Sequence, residues 1–125
     1  MALAEAGVFR GGSARLICEA KGQAPLHLFN VFETLQDSPL LECGEHAVLD
    51  HFGSTHARLE GVRSLLSPYP QVHFHPGLLS VMAGRVADRQ FCFVHLDLDL
   101  GQATAEALAF FYRRLLRGGV LIGDD

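Results

Sequence analysis

The sequence predicts an α/β domain, a three-layer, doubly wound parallel sheet with helices on both faces. Three observations carry that expectation. Short apolar runs alternate with amphipathic stretches along all 125 residues, the rhythm of strand and helix in succession. The runs are apolar at successive positions, as in strands covered from both sides. Glycines and prolines punctuate the places where a strand would hand over to a helix.

Residues 2 to 6 form a short first strand, and "SARLICEAKG" then carries Ala14, Leu16 and Ile17 at helical spacing up to a stop at Gly22. "PLHLFNVF" is a second strand opened by proline. Residues 37 to 53, polar and glycine-containing with Pro39, Cys43 and Gly44, read equally as loop, short helix or lid. From Ser54 the pattern turns helical, with Leu59, Val62, Leu65 and Leu66 on one face, Ser54 or Thr55 as cap and Pro68 just beyond the end. "QVHFH" is the third strand and Leu78 to Val86 a short helix. "FCFVHLD" is the fourth strand. "TAEALAFFYRRLL" is a helix with Thr104 as its cap and arginines in its last turn, and "GGVLIGDD" is a fifth strand.

The bulk numbers narrow the function classes. One domain is the expected count at this length. Hydrophobic residues make up 49% and charged residues 19% of the chain, a globular composition, and no apolar run approaches the roughly eighteen residues that cross a bilayer. The opening "MALAEAGVFRGG" lacks a secretory pattern, so cytoplasmic residence and no membrane partner are expected. Net charge is −4 and Lys21 is the single lysine, so no basic stripe for nucleic acid is present. Cys18, Cys43 and Cys92 have no paired spacing, which points to reduced thiols rather than a disulfide or zinc framework.

Ligands of such sheets bind at the carboxyl ends of the strands, and the unusual residues fall there: "EAGVFRGGS" after strand one, "NVFE" after strand two, "HPG" after three, "DLD" after four and "DD" after five. Gly7, Gly11 and Gly12 sit where strand turns to helix, able to bring backbone N–H groups close to a nucleotide-like ligand; a plain tight turn is the alternative. If strands four and five are adjacent, Asp97, Asp124 and Asp125 crowd together. Like charges at that distance bind a cation or shift their pKa values upward, and an oxygen-only set favours magnesium, calcium or manganese. Solvated caps and turns are the bland reading, and Asp99 fits a cap of the following helix. Seven histidines are dispersed. His73 and His75 share a face of strand three, His95 precedes Asp97, and His51 or His56 is a candidate general base.

The segments "EAGVFRGGSA", "LFNVFETL", "VHFHPG" and "FVHLDLDLGQATAEALAFFYRRLLRGGVLIGDD" together resemble class I S-adenosylmethionine-dependent methyltransferases, and within them the macrocin O-methyltransferase family. The resemblance implies a Rossmann-like core of about five strands in the order 3-2-1-4-5, lacking the usual C-terminal strands and incomplete at both ends. It implies S-adenosylmethionine and Mg²⁺ as cofactors and a hydroxylated small molecule, sugar or natural-product-like, as acceptor. Carried over by position, Glu5, Gly7, Gly11 and Ser13 would hold the methionine part of the donor, Asn30 the ribose, and Gly77 and Leu78 the adenine. Asp97, Asp124 and Asp125 would hold the metal, and Asp97 or Asp99 would take the proton. Asn30 stands where the family has an aspartate, and an amide offers one acceptor oxygen and no charge. An exposed final strand would favour a homodimer.

Two rivals remain open at this stage. A haloacid dehalogenase-like phosphatase also uses "DLD" and "GDD", but it needs its first motif on the opening strand and a lysine after it, and none follows Lys21. A truncated methyltransferase-like module without catalysis is the non-enzyme reading. A dehydrogenase is disfavoured by the lack of GxGxxG.

Overall fold

A computed structural model describes residues 1–30, 55–98 and 101–123, with backbone alone for 55–58. Five parallel strands form one sheet in the order β3-β2-β1-β4-β5, as expected. They are β1 (Ala2–Ala6), β2 (Leu26–Asn30), β3 (Val72–Pro76), β4 (Phe91–Leu96) and β5 (Leu115–Gly123). The helices are α1 (Gly12–Lys21), α2 (Thr55–Leu66), the one-turn α3 (Leu79–Met82), which tightens into a 3₁₀ turn over Ala83–Val86, and α4 (Gly101–Tyr112).

Alternation along β1 divides its side chains between two cores. Ala2, Ala4 and Ala6 face a layer with Phe29, Val86, Val94, Phe91 and Phe111. On the other face Leu3 packs with Ala14 and Cys18 of α1 and Leu59, Val62 and Leu66 of α2. Alanines on β1 leave room for the first layer's aromatics: Phe111 meets Phe29 and Phe91 edge to face, at centroid distances of 5.8 and 5.2 Å, arrangements worth about 0.5–1.5 kcal/mol each beyond the area they bury. Cys18 is buried and Cys92 half-buried, both as free thiols.

Two sequence expectations change. Thr104 does not cap α4, which begins at Gly101; its hydroxyl donates back to the Leu98 carbonyl at 3.2 Å from inside the first turn. The arginines do not extend the helix either. Arg114 lies past its end, donating to the carbonyls of Phe110 (2.9 Å) and Ala87 (3.0 Å) with its guanidinium 3.9 Å from the Phe110 ring centroid. It satisfies a helix-end carbonyl that would otherwise lack a partner. The Arg114 carbonyl accepts the Phe91 N–H at 2.8 Å, so β5 starts at Leu115, earlier than expected. Its register then slips from Leu115 opposite Phe91 to Val120 opposite Phe93, with Gly118 in the left-handed region at φ 85°. Val120 and Ile122 remain 50% and 45% exposed.

A histidine layer spans β2 and β3. The register sets His27 opposite His73 and Phe29 opposite His75. His27 stacks on His73 and His75, with centroids 5.0 and 5.2 Å apart, and a hydrogen bond of 2.9 Å joins His27 Nδ1 and His75 Nε2. Both rings are buried, with 7% and 8% of their surface exposed. Burial above all, then neighbouring histidines and arginines, pushes each from the ordinary 6.5 down to about 4.

Two predictions follow from this packing. A methyl group at Gly7, where φ is 91°, would stand 1.8 Å from the Asp97 carbonyl oxygen, whereas one at Gly12 would meet nothing within 4 Å. Gly7→Ala should therefore cost more than about 3 kcal/mol or prevent folding, while Gly12→Ala stays within about 1 kcal/mol of the parent in urea denaturation. The second concerns acid. Between pH 6.5 and 4 the unfolded imidazoles of His27 and His75 bind protons that the folded ones do not, so stability is greatest above 6.5 and declines as pH falls through that window. The expected loss is on the order of 3 kcal/mol for the linked pair, read from denaturation midpoints; a flat profile between pH 7 and 4.5 would contradict it.

Candidate functional site

The carboxyl edge of the sheet is held by backbone hydrogen bonds that continue past the strands. Gly7 N–H donates to the Phe29 carbonyl (2.9 Å), Asp97 N–H to the Ala6 carbonyl (2.8 Å) and Gly77 N–H to the Asn30 carbonyl (2.8 Å). The turn from β1 to α1 runs through three left-handed residues, Gly7, Phe9 and Gly11. Phe9 adopts this conformation without being glycine, a strained state that costs of order 1 kcal/mol. Gly11 is favoured by its φ of 88°, and a methyl group there would also crowd Leu65 and Val62 at 3.1 and 3.3 Å. Gly7 and Gly11 thus first serve close approach of protein to protein. Gly11 is also the N-cap of α1, and the first-turn amides, which have no intrahelical acceptors, receive none from its side chain.

Beside that turn lies Glu5, fully buried. Register places it opposite His95 on β4, and a hydrogen bond of 2.7 Å joins His95 Nδ1 and Glu5 Oε2. Among the described residues Oε1 has no hydrogen-bond partner, although Ser13, in the first turn of α1, lies close enough to draw the carboxyl's pKa down. Burial pushes the carboxyl above the usual carboxylate range, against the pull of His95 and Ser13, and the negative charge of Asp97 adds to the rise. A buried acceptor without a donor costs about 1–3 kcal/mol. Its natural complement is an N–H or ammonium group arriving from outside the fold.

Asn30, half-buried at the end of β2, lines a small cleft of about 60 Å³ with Ala6, Phe29, Gly77, Leu79 and Leu98. The structure therefore gathers Glu5, Gly7, Gly11, Ser13, Asn30 and Gly77 on one edge. Leu78 is 56% exposed at the start of α3, and its neighbour Leu79 is the one that lines the cleft. Asp97 follows β4 and is half-buried. Leu96 pairs with Gly123, so the strands leading to Asp97 and Asp124 are neighbours. Asp99, Asp124 and Asp125 lie outside the described residues, as does His51, and the side chain of His56 is not described. Among the described residues, no group of three or more His, Cys, Asp or Glu is disposed to hold a metal ion, and no helix is long and apolar enough to cross a membrane.

His95 is the site residue that sequence reasoning missed. It sits 90 positions from its partner, and only the β1–β4 register would have revealed it.

Comparison with known proteins gives this edge a context. The family model described as macrocin-O-methyltransferase (TylF) matches residues 1–125. A curated relative from Streptomyces olivaceus, named 8-demethyl-8-(2,3-dimethoxy-alpha-L-rhamnosyl)-tetracenomycin-C 4'-O-methyltransferase, is 31% identical over 136 aligned positions, covering 98% of this chain and 52% of the relative. The solved structure of the O-methyltransferase NovP superposes with a TM-score of 0.76 at 23% identity, covering 99% of this chain and 56% of that one. The chain thus spans about half the length of the proteins it matches, and the NovP likeness bears on the fold. By its glycine turn, its strand order and a family match over its whole length, the chain belongs to the macrocin O-methyltransferase family.

Proposed function

We propose that the chain carries the donor-binding core of an S-adenosylmethionine-dependent O-methyltransferase, acting with Mg²⁺ on a hydroxyl of a sugar or natural-product-like small molecule. The observation that carries this reading is the buried Glu5 carboxyl, whose Oε1 has no partner among the described residues, set beside the uncapped first turn of α1. An α-amino acid presents an ammonium to such a carboxyl and a carboxylate to such amides. The methionine portion of S-adenosylmethionine has both groups. Family membership supports the reaction class, and the 4'-O-methyltransferase name of the Streptomyces relative supports a sugar-bearing acceptor.

Bound on this edge, the donor supplies an electrophilic methyl group, and a divalent cation supplies Lewis acidity that lowers the pKa of an acceptor hydroxyl. The chain's own residues provide the rest. Glu5, fixed by His95, orients the amino group, while Gly7, Gly11 and Ser13 shape the turn around the methionine portion. Asn30 takes a ribose hydroxyl through its one acceptor oxygen, and Gly77 and Leu79, which line the cleft, flank the base. Asp97, Asp124 and Asp125 would be the residues that hold Mg²⁺, an oxygen-only ligand chemistry suited to that ion. Asp97 or Asp99 receives the acceptor's proton. Orientation of donor and acceptor accounts for most of the rate in such a scheme.

The test pairs calorimetry with turnover. S-adenosylhomocysteine should bind the chain with or without Mg²⁺. Asp97→Ala should keep that affinity within about threefold while methyl transfer to a vicinal-diol sugar acceptor falls at least about 100-fold. Absence of nucleoside binding would overturn the reading, and loss of binding in Asp97→Ala would overturn the division of roles between Glu5 and Asp97.

A further inference from the structure

A broad concavity lies on the edge opposite the donor cleft. Met1, Pro25, Gln71 and Gln90 bound a groove of about 700 Å³, and each stands at or just before the start of a strand, which places the groove at the sheet's amino-terminal edge. Its wall is the histidine layer, His27, His73 and His75, faced by Arg85 and Arg89 from the 3₁₀ turn and the loop that follows it. A second hollow of about 350 Å³ adjoins it, sharing Asp88, Arg89 and Gln90 and adding Arg113 and Arg114.

Cations outnumber anions here although the chain as a whole is acidic. Asp88 is the one acidic residue in the lining of either hollow. Its contact with Arg89, at 3.8 Å between side chains 81% and 60% exposed, neutralises little. Arg85 and Arg113 make no ion pair or hydrogen bond among the described residues, whereas Arg114 is committed to the end of α4. A second feature of the groove is buried. His75 is more than nine-tenths buried, and its Nδ1 has no partner among the described residues, while its Nε2 shares a hydrogen bond with His27. The imidazole pair sits in the positive field of Arg85 and Arg89, and that field is among the causes holding both rings neutral.

The geometry points to a second ligand site in this groove, one that takes the oxyanion of a small molecule, a phosphoryl or carboxylate group, between Arg85, Arg89 and the histidine layer. Guanidinium groups engage such oxyanions through paired N–H donors. An anion placed there offsets the field that disfavours the charged imidazoles, so the His27–His75 pair changes its protonation or tautomer when the site fills. The volume accommodates far more than an inorganic ion, so the oxyanion would be the anchor of a larger molecule. The site is independent of methyl transfer and stands or falls separately from it.

The test titrates the full chain with pyrophosphate in one arm and succinate in the other, at constant ionic strength, following imidazole resonances by NMR and heat by calorimetry. Saturable binding should shift the His27, His73 and His75 signals, and the double variant Arg85→Gln/Arg89→Gln, altered only at exposed positions, should bind at least tenfold more weakly with unchanged thermal stability. Tighter binding of pyrophosphate assigns the site to phosphoryl groups; tighter binding of succinate assigns it to carboxylates. No saturable binding in either arm, histidine signals that stay still, or an affinity indifferent to the double substitution would each overturn the proposal.

Discussion

A carboxyl group buried between two central strands is the constraint around which the carboxyl edge is built. Glu5 on β1 is reached by His95 on β4 through one short hydrogen bond, and its other oxygen has no partner among the described residues. Removing a charged or polar group from water is costly unless partners replace the water. The fold accepts half of that cost at the point where a ligand would supply the missing donor. The surroundings tie this arrangement together: Gly7 leaves no room for a side chain beside the Asp97 carbonyl, and the Asp97 N–H returns to Ala6. Glu5, the glycine turn and Asp97 are therefore linked through adjoining backbone.

The strands and the layer structure were legible because they depend on patterns within each segment. Apolar runs at 2–6, 26–30, 72–76 and 91–96 became strands, and their flanking glycines and prolines became turns. Family motifs then fixed the order of the strands. What was not legible arose from register between segments far apart in sequence. The pairing of Glu5 with His95, and of His27 with His75, follows from which residue lies opposite which across the sheet, and local periodicity is silent on that. The end of α4 was misread for a related reason. Thr104 has the chemistry of a cap, but its hydroxyl points back to Leu98, and Arg114 ends the helix by bridging to Ala87, a residue on a different element.

Even the glycines were half understood. Sequence reading took Gly7 and Gly11 as devices for bringing backbone to a ligand, whereas their missing side chains make room for Asp97 and for Val62 and Leu65. The two uses are compatible: packing fixes the turn, and the fixed turn presents the α1 amides. The chemistry of the chain is thus divided between opposite edges of one sheet, an acidic carboxyl edge with an unfilled acceptor and an arginine- and histidine-lined amino edge. That polarity follows the parallel arrangement itself, which sends every strand's end, and every loop after it, to the same side.

The most direct measurement is a crystal structure of the chain with S-adenosylhomocysteine. The account predicts the ligand's amino group within about 3.2 Å of Glu5 Oε1, its carboxylate at the first-turn amides of α1 and its ribose at Asn30. A nucleoside seated elsewhere, or one on this edge with Glu5 Oε1 still bare, would contradict it.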